Sequence, residues 1–465
     1  MLRFFQQLFL AVAVAGIVNS ASAFSLLGPS SDFGGVTWET PALSYDIGGI
    51  DVGGPMNLGE GYRWNTKTIT YGFSKAFQDY FGTRGIEEVN KAIAILNNLP
   101  PVSRMSATLS EFPTDARRFN LQANSLGLLD LKTVTLGLLL EEIGLADSER
   151  YVWTLRNRFV TPAPVTNYFV IMRNFDPVTW NPSPYVNGTL YTYTIQEFGP
   201  PLQYSDAVES SVDPLALSFN SASAIADAGN PSISSFGPGV FFTGLTRDDV
   251  GGVRYLLTKK IRNIENPLPG TTGSTVSSSS WGPVGGVGGT NAIVTQALRS
   301  GVEKILFKQI KYYGTFPGFT NISTDTFINP ANNRLTTQKT QRILTVQPDI
   351  LFSAGDLGVE GANGVPNIIN RSSTASWANN SALNNAGVTG VELDGPGVIQ
   401  PPITIDFTTV LPFIENQFPG FLDQANVVET IGGFAAFDGT TNAPVIFPNG
   451  ASIQQLQELI FNGGL

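Results

Sequence analysis

Hydrophobic positions along the chain recur with two periods. Thr68 to Phe73 alternates, with Ile69, Tyr71 and Phe73 on one side, and this predicts a strand. Directly after it, Ile86, Val89, Ala92, Ile93 and Leu96 fall at helical spacing, predicting an amphipathic helix from Gly85 to Asn98 that stops near Pro100. Asp130 is a good N-cap for a second helix through LKTVTLGLLLEEIGL. Leu131, Val134, Leu136, Leu138, Leu139, Leu140 and Ile143 surround that helix on nearly every side, so it belongs in the middle of a core.

Further along, apolar runs at Tyr168 to Met172 and Leu190 to Ile195 read as strands, and Asn187-Gly188 between Tyr185 and Tyr191 reads as a two-residue hairpin turn. The stretch Pro267 to Thr290 is rich in Gly and Ser and offers little surface to bury, which marks an interdomain linker or a long surface loop. Its cluster Gly285-Gly286-Val287-Gly288-Gly289 does not match the dinucleotide-binding spacing, and no strand precedes it. A helix is expected from Asn291 to Leu298. Short β runs follow at Lys304 to Tyr312, Arg342 to Val346 and Ile403 to Phe407, and a helix from Ile453 to Phe461, boxed by Ser452 and Gln455, closes the chain. The expected architecture is an α+β domain over residues 24–266, the linker 267–290, and a mainly β, sandwich-like domain over 291–465.

Composition agrees with turns and strands. The chain has 465 residues, enough for two cores, and 42% of them are hydrophobic, enough to fill both. Only 14% are charged, against roughly 25% in an average soluble protein. The net charge of −10, with no Lys/Arg cluster in the sequence, disfavours phosphate backbones and anionic membranes, so nucleic acid is not an expected partner. The first residues look like a signal peptide spanning 1–23: Arg3, an apolar stretch from Leu8 to Val18, then Ala21-Ser22-Ala23 before Phe24. That stretch is shorter than the ~20 residues a membrane span needs. A secreted, cell-surface or periplasmic location follows, with no transmembrane helix in the mature chain.

The chain contains neither histidine nor cysteine. Imidazole-dependent triads, zinc sites built on histidine, histidine-held haem, thiolate catalysis and disulfides are therefore closed to it. A carboxylate pair, a Ser/Lys dyad or an oxygen-ligand calcium site stays open, but each lacks a motif. Glu141-Glu142 are adjacent on a helix and diverge by about 100°. Asp248-Asp249 follow Thr246 and read as helix N-terminal charge. Glu392 and Asp394 share a strand face, but Asp394-Gly395-Pro396-Gly397 is a turn signal. Sequons start at Asn187, Asn321, Asn370 and Asn379. No cofactor is expected.

One family resemblance changes the picture. Trp64 to Phe73 (WNTKTITYGF) with the helix at Gly85 to Asn98 resembles the opening strand and first helix of matrixin-type metallopeptidases, of the metzincin class. The buried helix falls where that family carries HExxHxxGxxH, and Leu245 to Val253 resembles the start of its last helix. Laid on without gaps, VTLGLLLEEIGLADS places Gly137, Glu141 and Asp147 at the three zinc-ligand positions and Leu138 at the general-base position, while Gly144 fits the helix-ending glycine. The resemblance implies a metzincin-like fold over parts of residues 60–260 with every zinc ligand lost and the active helix refilled with leucine. The expected protein is then a non-enzymatic, exported structural or binding protein that takes a protein or glycan partner, or copies of itself. The competing expectation is a secreted hydrolase of polysaccharides using two carboxylates, with Trp153, Trp180 and Trp377 as sugar platforms.

Overall fold

The computed structural model describes residues 23–26, 56–146, 148–149, 151–160, 165–198, 204–213, 238–273, 294, 297–312, 316–354, 376–379, 397–407, 412–415 and 433–448. The leader, most of the 267–290 stretch, Glu392, Asp394 and the helix expected at Ile453 to Phe461 lie outside them.

Three short runs, Thr68–Phe73, Ile350–Ser353 and Ile403–Phe407, are buried over nearly their whole length, as strands covered on both faces must be. They form a five-stranded sheet in the order Leu306–Gln309, Thr68–Phe73, Ile350–Ser353, Ile403–Phe407, Pro412–Glu415. The first four are parallel and the last is antiparallel. Helix α1 (Lys75–Asn98) follows the second strand of that order directly, with Ser74 as N-cap accepting from the Phe77 amide at 3.1 Å. The run is kinked at Gly82 (φ +59°, ψ −161°), so a short first helix carrying Phe77 and Phe81 precedes the segment that contains the predicted Gly85–Asn98 helix. Phe73, Phe77, Phe81, Phe352, Phe407 and Phe434 form one aromatic layer with neighbouring ring centroids 4.7–5.7 Å apart.

Two short helical elements lie beneath. A one-turn helix α2 (Leu121–Ser125) leads to α3 (Leu131–Ile143), which Asp130 caps by accepting from the Thr133 amide and hydroxyl. Gly144 ends α3 at φ +114°, and a Cβ there would sit 2.3 Å from the Tyr62 carbonyl oxygen, so only glycine fits. Helix α4 (Arg247–Leu257) opens with a complete capping box between Thr246 and Asp249. The Asn187-Gly188 turn joins strands Tyr185–Val186 and Thr189–Phe198 with both φ angles positive, at 43° and 90°.

Residues 24–266 and 291–465, expected as successive domains, interleave instead. The strand Thr68–Phe73 takes its neighbours from residues 306–309 and 350–353, Tyr62–Arg63 pairs with Gly397–Gln400, and Leu128–Asp130 pairs with Gly433–Ala436. One continuous cluster of buried side chains runs from Phe24 to Phe447. The molecule is mainly β. Leu298, expected to end a helix, lies in the strand Ala297–Ser300, between Arg262–Glu265 and Phe319–Asn329. With a neighbour on each side its backbone groups are satisfied laterally, which overrides the helical spacing.

That strand belongs to a second sheet, antiparallel throughout, in the order Arg262–Glu265, Ala297–Ser300, Phe319–Asn329, Arg334–Leu344, Thr271–Gly273. Laid flat, its two edges would stand roughly 19 Å apart. The edges are joined by residues 266–270 alone, and Thr271 donates back to the Leu268 carbonyl to close a turn within that link. The sheet therefore curls, and it encloses a cleft.

Candidate functional site

Two of the three residues aligned with a zinc site are buried on α3 and one lies outside the described residues. Gly137 and Glu141 lie on α3, where Leu131, Val134, Leu136, Leu138, Leu139, Leu140 and Ile143 are each at most 3% exposed and Glu141 is equally buried. Asp147 lies outside the described residues. Glu142 is buried too; its main-chain carbonyl accepts from the Trp64 indole, and burial alone pushes its carboxyl up to about 8. Asp130, at the head of the same helix, is pushed up to about 6 by burial, against the pull of Lys132 and of its Thr133 hydrogen bonds. Both side chains are thus set toward the neutral form that an apolar centre favours.

The remaining sequence candidates among the described residues have structural partners. Asp249 closes the α4 capping box, and Asp248 accepts from the Asn187 amide at 2.6 Å, which also buries the first sequon asparagine. The Trp153 indole donates to the Tyr191 carbonyl, and Trp180 meets Tyr255 edge-on at 5.3 Å. The Trp377 side chain is outside the described residues.

Among the described residues, the curled sheet lines a cleft with a volume of about 490 Å³. Alternation along the hairpin builds one wall. Asn321, Ser323, Asp325 and Phe327 point inward from one strand, and Thr340 and Arg342 from the next, across the pairs Ser323–Thr340 and Asn321–Arg342. The turn at residues 65–67, the segment at residues 300–302 and the residues just after α4 also line the cleft, with Lys67 and Lys259, and Arg262 joins from the start of the edge strand Arg262–Glu265.

Arg299, Asp325 and Arg342 of the lining belong to a row of ion pairs that continues behind the cleft. Arg299 donates Nε to Asp325 at 3.0 Å, donates to the Glu265 and Val294 carbonyls, and lies over the Phe327 ring. Arg342 reaches Asp349 at 2.5 Å and the Pro269 carbonyl at 3.1 Å. Asp349 in turn accepts from the Thr70 amide and hydroxyl, both at 2.8 Å, tying the curled sheet to the central one. Arg63 pairs with Glu265 at 2.7 Å with both side chains 1% exposed; burial raises the carboxyl's pKa while the guanidinium opposes that shift. Each buried guanidinium has a carboxylate, as burial of charge requires.

Among the described residues lining the cleft, five side chains are cationic and Asp325 is the one acid. Sequence reasoning passed over all of them. The available signal was a charge in the inward phase of an alternating strand, as at Arg299, Asp325 and Arg342, in a chain where charges are few. Their convergence depends on pairing that the sequence does not display. Among the described residues no group of three acidic side chains is placed to hold a metal ion, and no helix is long and apolar enough to cross a membrane. Comparison with family models, with curated proteins and with solved structures finds no match for the chain.

Proposed function

We propose that this is an exported, non-catalytic binding or structural protein of the cell exterior. In this reading a metallopeptidase-like scaffold over parts of residues 60–260 has had its active helix converted to core. The observation that supports it most is the closed setting of α3: of the positions aligned with ligands and base (Gly137, Glu141, Asp147 and Leu138), the three described ones, Gly137, Glu141 and Leu138, are buried beside leucine side chains. Placing leucine where a polar site would stand replaces groups that need partners with groups that need none, so the conversion is physically coherent. Carboxylate-dependent hydrolysis of polysaccharide is less well supported. It needs two acids facing each other across an opening. The described lining of the cleft offers Asp325, which is already engaged by Arg299.

The test is turnover. The purified chain is incubated with Zn²⁺ and labelled casein, and separately with neutral and acidic polysaccharides. No peptide and no new reducing ends are expected above the protein-free blank. Zinc-dependent cleavage of casein, or release of reducing ends, overturns the proposal.

A further inference from the structure

We propose that the cleft of the curled sheet binds an anionic saccharide, a sugar carrying carboxylate or sulfate groups. The proposal rests on the non-catalytic binding reading above and supplies its site and ligand class.

Charge singles the cleft out. The chain carries a net −10, yet Lys67, Lys259 and Arg262 all line one cleft. Among the described residues no ion pair engages Lys67 or Arg262, and Lys259 has only Glu303, at 4.0 Å. Unneutralised cations gathered in a concavity raise the local concentration of anions, and in an acidic protein such a gathering stands against the background field. The volume of about 490 Å³ lies within the range of small-ligand sites.

The walls favour a sugar over a bare inorganic anion. Hydroxyl and amide groups from Asn321, Ser323 and Thr340 line the cleft together with the apolar side chains Leu268, Leu298 and Leu335. A pyranose presents hydroxyls at its rim and C–H groups on its faces, so it uses both kinds of lining, whereas a sulfate ion uses neither the apolar part of the lining nor the length of the cleft. Part of the lining is also held in advance. Arg299 and Arg342 are fixed by Asp325, Asp349 and main-chain carbonyls, so binding orders little that is not already ordered.

Calorimetric titration of the full mature chain tests this with trigalacturonate, a sulfated disaccharide, maltotriose and inorganic sulfate, at low and raised salt. At least one anionic sugar is expected to bind, more weakly as salt rises, and roughly tenfold more tightly than maltotriose or sulfate ion. Which anionic sugar binds distinguishes carboxylate from sulfate recognition. The double variant Lys67→Gln/Arg262→Gln, which alters only exposed side chains, should weaken binding by roughly tenfold with an unchanged unfolding midpoint. Equal binding of maltotriose or of sulfate ion, an unaffected double variant, or no binding of either anionic sugar overturns the assignment. Reducing ends released during the titration would instead defeat the non-catalytic reading and leave the site standing.

Discussion

Glu142 carries a carboxyl on which burial is the dominant influence, and the group ionises near 8 in place of the usual carboxylate range. A folded-state value above the unfolded one means that the native protein holds a proton the unfolded chain releases. The stability belonging to the protonated form is complete below the ordinary carboxylate pKa and is lost as pH rises through about 8, by at most about 1.4 kcal/mol per pH unit. Asp130, raised to about 6, acts in the same sense over a lower window. The variant Glu142→Gln stays neutral at every pH. Urea denaturation should find it close to the native protein at pH 5 and more stable than the native protein at pH 9; parallel pH profiles for the two would refute the assignment. The contrast with the cleft is instructive. In and behind it, Arg63, Arg299 and Arg342 each have a carboxylate, from Glu265, Asp325 and Asp349, within 3.0 Å.

At the level of elements, α3 shows how a helix with no polar face is stabilised. Thirteen residues long, it has Asp130 at one end and Gly144 at the other, and between them nearly every side chain meets another element. Leu139→Ala, at a position with no exposure, should cost about 2–5 kcal/mol in chemical denaturation, since a buried helix cannot collapse around the void. A cost below about 1 kcal/mol would mean that the centre is not packed as described. This element was legible in the sequence from its cap, its leucines and its closing glycine. So were the Asn187-Gly188 turn and the α4 start, because each is set by residues within one turn of chain. The strand Ala297–Ser300 was not legible, since its neighbours decide its state. Nor was the cleft, because nothing local says that Arg342 will lie near Asp349 or that Lys67 and Asn321 will line one cleft.

For the whole molecule, sheet pairing across long separations matters more than the Gly/Ser-rich stretch in the middle. Thr68–Phe73 without its partners at residues 306–309 and 350–353 is a central strand with both edges bare. A fragment of residues 24–266 is therefore expected to lack cooperative thermal unfolding and to bind a hydrophobic dye, and a sharp two-state transition in that fragment would show that the first segment stands alone. The pairing of Tyr62–Arg63 with residues 397–400, and of Leu128–Asp130 with 433–436, also bears on the order of events at the ribosome. A chain made from its N-terminus cannot close this core until residues near 436 have emerged. Contacts over such separations also form slowly once they are available. The newly made protein thus spends its synthesis open and threadable, the condition in which a polypeptide passes through a narrow translocation pore, and it becomes compact only when almost all of it has arrived.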